Sequence, residues 1–283
     1  MNKLFYLQLM ISFFVGGGVI ALLSFIAERV NARVAGIVLA FPSTVALSFF
    51  FLGWALTPEA VANIVPATFI PLGLTVLFPA IYTYTAEFLS RTLKNKILQI
   101  VVSFFISLAT WALLSLPIAF YKFNNLMVGV TGYAILALLA HWLLHRRNHK
   151  KPTSLTYTFS QKIGRAAFVG LIITLVVFLG KTFGPFWGGM LAVFPAALSS
   201  SIVILHWYYD PKSLFPMVQK YALGSVAIAV YSLTVMLVFP KIGFIFGTIV
   251  AYFASLVTSL LLTKIPAKHN KSKTHLNASA PLP

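Results

Sequence analysis

Cysteine is absent from this chain of 283 residues, and only four residues are acidic: Glu28, Glu59, Glu87 and Asp210. The first absence excludes disulfides and thiolate metal sites, and it leaves the compartment open. The second bears on coupling. All four acids fall near the ends of apolar stretches, and a cation- or proton-coupled carrier normally keeps a carboxylate deep in its bundle. Charged residues of both signs make up just 9% of the chain. Alternating strand-like segments of about ten residues are missing too, which excludes an outer-membrane barrel.

What fills the chain instead is hydrocarbon. Hydrophobic residues reach 59%, aromatic residues 15%, and the mean hydropathy is +0.92. Apolar runs of about 20 residues, enough for a helix to cross the bilayer core, recur along nearly the whole length. The expected fold class is all-α, a polytopic membrane bundle of nine spans: Leu4 to Ala27, Val34 to Leu56, Ile64 to Leu89, Ile97 to Leu116, Leu126 to Leu144, Ile163 to Gly180, Phe186 to Trp207, Phe215 to Phe239 and Ile242 to Leu262. The first run is too long for a signal-peptide core and has no small-residue cleavage site before Glu28, so it is expected to stay as a membrane helix.

Lysine and arginine fix the expected orientation, because cytoplasmic loops carry their excess. On a nine-span layout 16 of the 21 basic residues fall on one side, among them Arg29, Arg91, Lys96, Arg146, Arg165 and Lys212; Lys3, Lys122, Lys181 and Lys241 fall on the other. The amino terminus is therefore expected outside and the carboxyl terminus in the cytoplasm. The formal charge of +17 follows from this topology and from anionic lipid headgroups. The basic residues sit in short loops between spans, so no nucleic-acid partner is expected.

Two prolines stand out. Residues 36–48 read GIVLAFPSTVALS and residues 189–201 read GMLAVFPAALSSS, with Phe41-Pro42 and Phe194-Pro195 in register 153 positions apart. At the same offset Gly17, Ile20, Leu22 and Phe25 meet Gly170, Ile173, Leu175 and Phe178, while Trp54 meets Trp207 and Pro58 meets Pro211. A shorter offset of 148 lays FFISLAT over YFASLVT, residues 104–110 on 252–258. Spans one to four thus read as repeated in spans six to nine. The expected division is 1–120 for the first four-helix unit, 121–160 for a linker helix and basic loop, 161–264 for the second unit, and 265–283 for a disordered cytoplasmic tail. Five spans precede the second copy, so the two units are expected inverted, as in many secondary transporters.

Inside an apolar helix proline removes a donor and clashes with the preceding turn. At N1 of a half-helix it is well tolerated, and the free amides beyond it make a seat for an anion. Both prolines lie about 13 Å deep, nine residues from opposite faces. The candidate substrate-binding residues are therefore Phe41, Pro42, Ser43, Thr44 and Ser48 from one copy, and Phe194, Pro195, Ala196, Ser199 and Ser200 from the other. Gln219 and Lys220 join them as polar groups within span eight.

The pattern G-x-x-x-x-F-P with following hydroxyls, then Pro58-Glu59-Ala60, resembles the small four-helix GlpM-type bacterial membrane proteins over about 110 residues of the first half. The chain looks like two such units fused through a linker helix, although Lys212 stands where the second copy would carry the acid. The resemblance implies a bacterial inner membrane and an envelope polysaccharide context.

Other chemistry is thin. His141, His145 and His149 share a helical stripe that could ligate a metal, but with arginine and lysine interleaved they mark a helix end. His206, beside Trp207, Tyr208 and Tyr209, reads as part of an interfacial aromatic belt. Gly16 to Gly18 read as a close helix contact. No acid or base is spaced to serve a serine nucleophile, so no enzyme, cofactor or metal is expected. The expected function is a secondary transporter or facilitator for a small anionic solute or anionic headgroup, working in the lipid bilayer as a monomer or homodimer. A channel with paired half-helices and an assembly subunit for envelope polysaccharide are the alternatives.

Overall fold

A computed structural model describes residues 3–29, 42–145 and 158–263 of the chain. Phe41, His149, the basic loop and the carboxyl-terminal tail lie outside these residues, as do the side chains of Glu28, His145 and Lys220. The described elements are α1 (Lys3–Arg29), α2 (Ser43–Ala55), α3 (Pro58–Thr92), α4 (Lys96–Phe120), α5 (Leu126–His145), α6 (Phe159–Thr182), α7 (Pro185–Ala192), α8 (Ala196–Tyr208), a 3-10 turn (Pro211–Leu214) and α9 (Phe215–Thr263). Among the described residues there is no strand, and seven helical stretches are long and apolar enough to cross a membrane. The protein is an all-α, multi-pass membrane bundle.

Helix α3 forms its axis. Its most apolar stretch is 78% buried, as expected of a helix that is hydrophobic all round, and it packs against α4, α5, α7 and α9. Thr57 caps it by accepting from Ala60 N–H, with Pro58 in the first turn and Glu59 beside the amino end, which suits the helix dipole. Pro66, Pro71 and Pro79 lie within it. Near Pro66 the i to i−4 ladder opens, and the Asn124 carboxamide fills the gap: its nitrogen donates to Asn63 O at 2.7 Å and its oxygen accepts from Ala67 N–H at 3.1 Å. An inserted side chain of this kind is a recognised cause of a helix kink.

Helix α9 is a hairpin. At Gly243 φ is 75° and ψ 174°, outside the helical region, a conformation glycine adopts without strain. Tyr231 and Tyr252 stand with ring centroids 5.4 Å apart, whereas an unbroken helix would separate these positions by roughly 31 Å. The reversal at Gly243 falls one residue inside the second of the two expected spans, 215–239 and 242–262.

Cross-links define two ends of the bundle. At one end Gln8 donates to Trp54 O at 3.2 Å, Lys181 donates to Gln8 Oε1 at 2.8 Å, and Asn124 holds the start of α3. At the other, Tyr84 OH donates to Leu143 O, Gln219 donates to Leu144 O, and Gln161 donates to Tyr208 OH at 2.8 Å. Lys122, Lys181 and Lys241 belong to the first end; Arg91, Lys94, Lys96, Lys162, Arg165 and Lys212 belong to the second.

Helices α1 and α6 run antiparallel and touch through glycine. A Cβ on Gly17 would lie 2.7 Å from Ala166 O, and one on Gly170 would lie 2.6 Å from Phe13 O. The two contacts are reciprocal: 13 with 166 and 17 with 170 are each pairs 153 positions apart.

Candidate functional site

Both prolines stand at a helix start with the same backbone geometry. Pro195 separates α7 from α8 and has φ −79° and ψ 53°; Pro42 precedes α2 with φ −74° and ψ 43°. Ala196 N–H donates back to Phe194 O at 2.8 Å, closing an inverse γ-turn about Pro195. The first α-helical bonds then run from Ser199 N–H to Pro195 O and from Ala46 N–H to Pro42 O, both 2.8 Å. Each proline is thus the N-cap of its helix rather than its first residue, as the sequence suggests. The γ-turn uses the Ala196 amide, so the amino end of α8 presents the amides of Ala197 and Leu198.

The carbonyl released by the second break is met from α3. Thr75 Oγ1 donates to Val193 O at 2.6 Å and accepts from Trp111 Nε1 at 3.0 Å. Phe194 is 3% exposed and packs edge-on against Trp111 and Phe78, with centroids 5.1 and 6.1 Å away. The three rings lock the break in place, each such pair contributing about 0.5–1.5 kcal/mol beyond its buried area.

The sequence-selected residues divide into distinct settings. Pro42, Thr44 and Ser48 are buried at the start of α2, with Ser43 half-buried beside them. Ser48 is fully buried, and its Oγ has no hydrogen-bond partner among the described residues. Pro195 and Ala196 are buried. Ser199 Oγ donates to Pro195 O at 2.8 Å and Ser200 Oγ to Ala197 O at 2.9 Å, so these hydroxyls back-bond to their own helix while their lone pairs stay available. Gln219 lies at the opposite end from Gln8, tied to α5. Phe41 and the Lys220 side chain lie outside the described residues. Packing links the start of α2 to the end of α7, since Val45 and Ala46 share one buried cluster with Ala192 and Val193.

Open volume lies beside the second break. A cleft of about 420 Å³ between α4, α6 and α8 is bordered by Ser199, Ser200, Gln161, Arg165, Phe104 and Phe168. Arg165 is 5% exposed. Sequence reading counts this arginine among the charges of the cytoplasmic side, two residues inside a span expected from Ile163; in the structure α6 begins at Phe159, with Thr158 and Gln161 forming a capping box, which carries Arg165 deeper into the bundle. The signal was there in T-x-x-Q ahead of the apolar run.

His206 also departs from its expected place. It is fully buried rather than interfacial, with Nδ1 2.9 Å from Tyr82 OH and the rings edge-to-face. Of the acids, Glu59 and Asp210 are exposed, and Glu87 is buried and paired with Arg91 at 3.0 Å. Among the described residues, no three histidine, aspartate or glutamate side chains gather where a metal could bind. Comparison with protein-family models, with curated proteins and with solved structures found no match.

Proposed function

We propose that this chain is a secondary transporter or facilitator of the bacterial cytoplasmic membrane, moving a small anionic solute or an anionic headgroup by alternating access about the two proline breaks. The observation that carries the reading is the close packing of α1 on α6 at Gly17 and at Gly170, two glycines at the offset that also relates Pro42 to Pro195. A two-fold axis in the membrane plane through α1 and α6 accounts for both, and inverted units about such an axis are the usual frame of secondary transporters.

Matched detail supports the same frame. Gln8 and Gln161, again 153 positions apart, each tie the first helix of a unit to the end of its second. On this reading residues 34–56 and the two arms of α9 bring the spans to nine, with α5 linking two GlpM-like units. The amino terminus lies outside and the carboxyl terminus in the cytoplasm, by the basic excess at the Arg165 end. Helix amino ends without carboxylates favour an anion, and the Ser199 and Ser200 hydroxyls stand beside the second of them. In the described conformation packed side chains separate the two helix starts, so transport requires α2 and α8 to part.

Uptake into proteoliposomes of small radiolabelled carboxylates and phosphomonoesters tests the mechanism. Pro42→Ala and Pro195→Ala each restore a backbone donor and are expected to lower uptake about tenfold or more, with the protein still folded. Uptake indifferent to both substitutions would remove the breaks from the mechanism.

A further inference from the structure

The polar residues that α4 buries form one stripe. Gln99, Ser103, Ser107 and Ser115, with Trp111 among them, recur at every fourth position and are 8% exposed or less. The opposite face carries Phe105 and Leu113, 60% and 68% exposed, on a helix long and apolar enough to span a membrane. The stripe lies where α4 meets both α3 and the second break: Trp111 Nε1 donates to Thr75 Oγ1 of α3, and its ring packs on Phe194. Threonines answer it on α3, where Thr68, Thr75 and Thr83 are buried.

Close helix packing explains small residues at these positions, and alanine would serve it as well as serine. It does not explain the hydroxyls. Ser107 Oγ donates to Ser103 O at 2.8 Å, but Ser103 Oγ and Ser115 Oγ are fully buried with no hydrogen-bond partner among the described residues. A polar group in that state carries its whole desolvation penalty. His206 Nε2, buried on α8 beside Tyr82 of α3, is left in the same way. The pattern recurs in the second half of the chain. The offset of 148 puts Ser107 over Ser255, which is buried and also without a partner, on the arm of α9 whose Phe244 packs on Phe50 of α2. A hydroxyl stripe thus accompanies each proline-capped helix. Helices α7 and α8 pack on α4, so the parting of α8 that transport requires would uncover serine rather than hydrocarbon. We propose that the serine stripe of α4, with its counterpart at Ser255, lines the route of a hydrated polar solute, the unpartnered hydroxyls being the groups that water and solute oxygens meet when the helices part. Hydroxyls both donate and accept, which suits a solute moving past them with part of its hydration shell. The inference rests on the transport reading and adds the route to it.

Thiol labelling of the full chain in proteoliposomes reads the route without knowledge of the solute. The chain has no cysteine, so each single replacement reports alone, and serine to cysteine changes one atom. The probe is methanethiosulfonate ethylsulfonate, a small water-soluble anion. It is expected to modify Ser103→Cys, Ser107→Cys, Ser115→Cys and Ser255→Cys about tenfold faster or more than Phe105→Cys and Leu113→Cys, because the reactive thiolate forms only where water reaches. Rates at the serine positions no faster than at the two lipid-facing ones overturn the proposal, since a stripe that serves packing alone stays dry. The result separates from that of the proline variants. Labelled serines with uptake indifferent to Pro42→Ala and Pro195→Ala would keep the route and remove the breaks from the mechanism. Unlabelled serines with uptake lost in those variants would keep the breaks and remove the route.

Discussion

Thr75 and Val193 are 118 positions apart, yet one hydroxyl between them settles how the second proline break is tolerated. A carbonyl freed from a helix in the membrane interior has no water to turn to. Thr75 supplies the donor and in the same stroke accepts from Trp111 Nε1, whose second acceptor, Pro71 O, is farther at 3.3 Å. Thr75→Val keeps shape and removes both contacts, leaving buried polar atoms at a cost of about 1–3 kcal/mol. Chemical or thermal denaturation in detergent should show that loss, and Thr75→Ser should restore most of it; equal stability of the valine and serine variants would mean another donor serves Val193. Nothing in the sequence marks this threonine, one of several in an apolar helix. The same holds for Asn124, which reads as linker yet completes α3. Such partners are set by three-dimensional closure and have no local period or spacing to betray them.

At the scale of elements, the features with a local physical cause were the readable ones. Phenylalanine-proline in an apolar run announces a broken helix, and a basic-rich interval announces a span end. The glycine run of α1 announces close approach, but the structure distinguishes its members. Gly17 faces backbone oxygen of α6, and its partner cannot rotate away; Gly18 faces open space. Gly17→Ala therefore forces α1 and α6 apart, at about 1–3 kcal/mol. Gly18→Ala gains helix propensity, up to about 1 kcal/mol, and pushes on nothing. Thermal denaturation of the two variants in one detergent should order them with Gly17→Ala below the unsubstituted protein and Gly18→Ala at or above it. The reverse order would mean that α1 and α6 do not pack through this face. Element ends were less legible: capping starts α6 at Phe159, a turn before its apolar stretch, and that turn sets Arg165 deeper in the helix than a span from Ile163 would place it.

For the whole molecule the question is parity, the number of membrane crossings between two points on the chain. Taken one crossing per long apolar helix, Lys3 and Lys122 are separated by α1, α3 and α4 and lie on opposite sides. If residues 34–56 make a further crossing, the count is four and the two lysines share a side. The structure bears on this through its ties: Gln8 at the start of α1 reaches Trp54 at the end of α2, and Asn124 reaches Asn63, which gathers the start of α1, the end of α2 and the α4–α5 turn at one end of the bundle. Inversion of the two units needs the even count, because five crossings must precede α6. The absence of cysteine makes the test clean, since any introduced thiol reports without background. In intact cells a membrane-impermeant maleimide is expected to modify Lys3→Cys and Lys122→Cys, and to reach Lys212→Cys only after permeabilisation. Reaction of the first two from opposite faces would leave three crossings between them, and units arranged that way could not be related by an axis in the membrane plane.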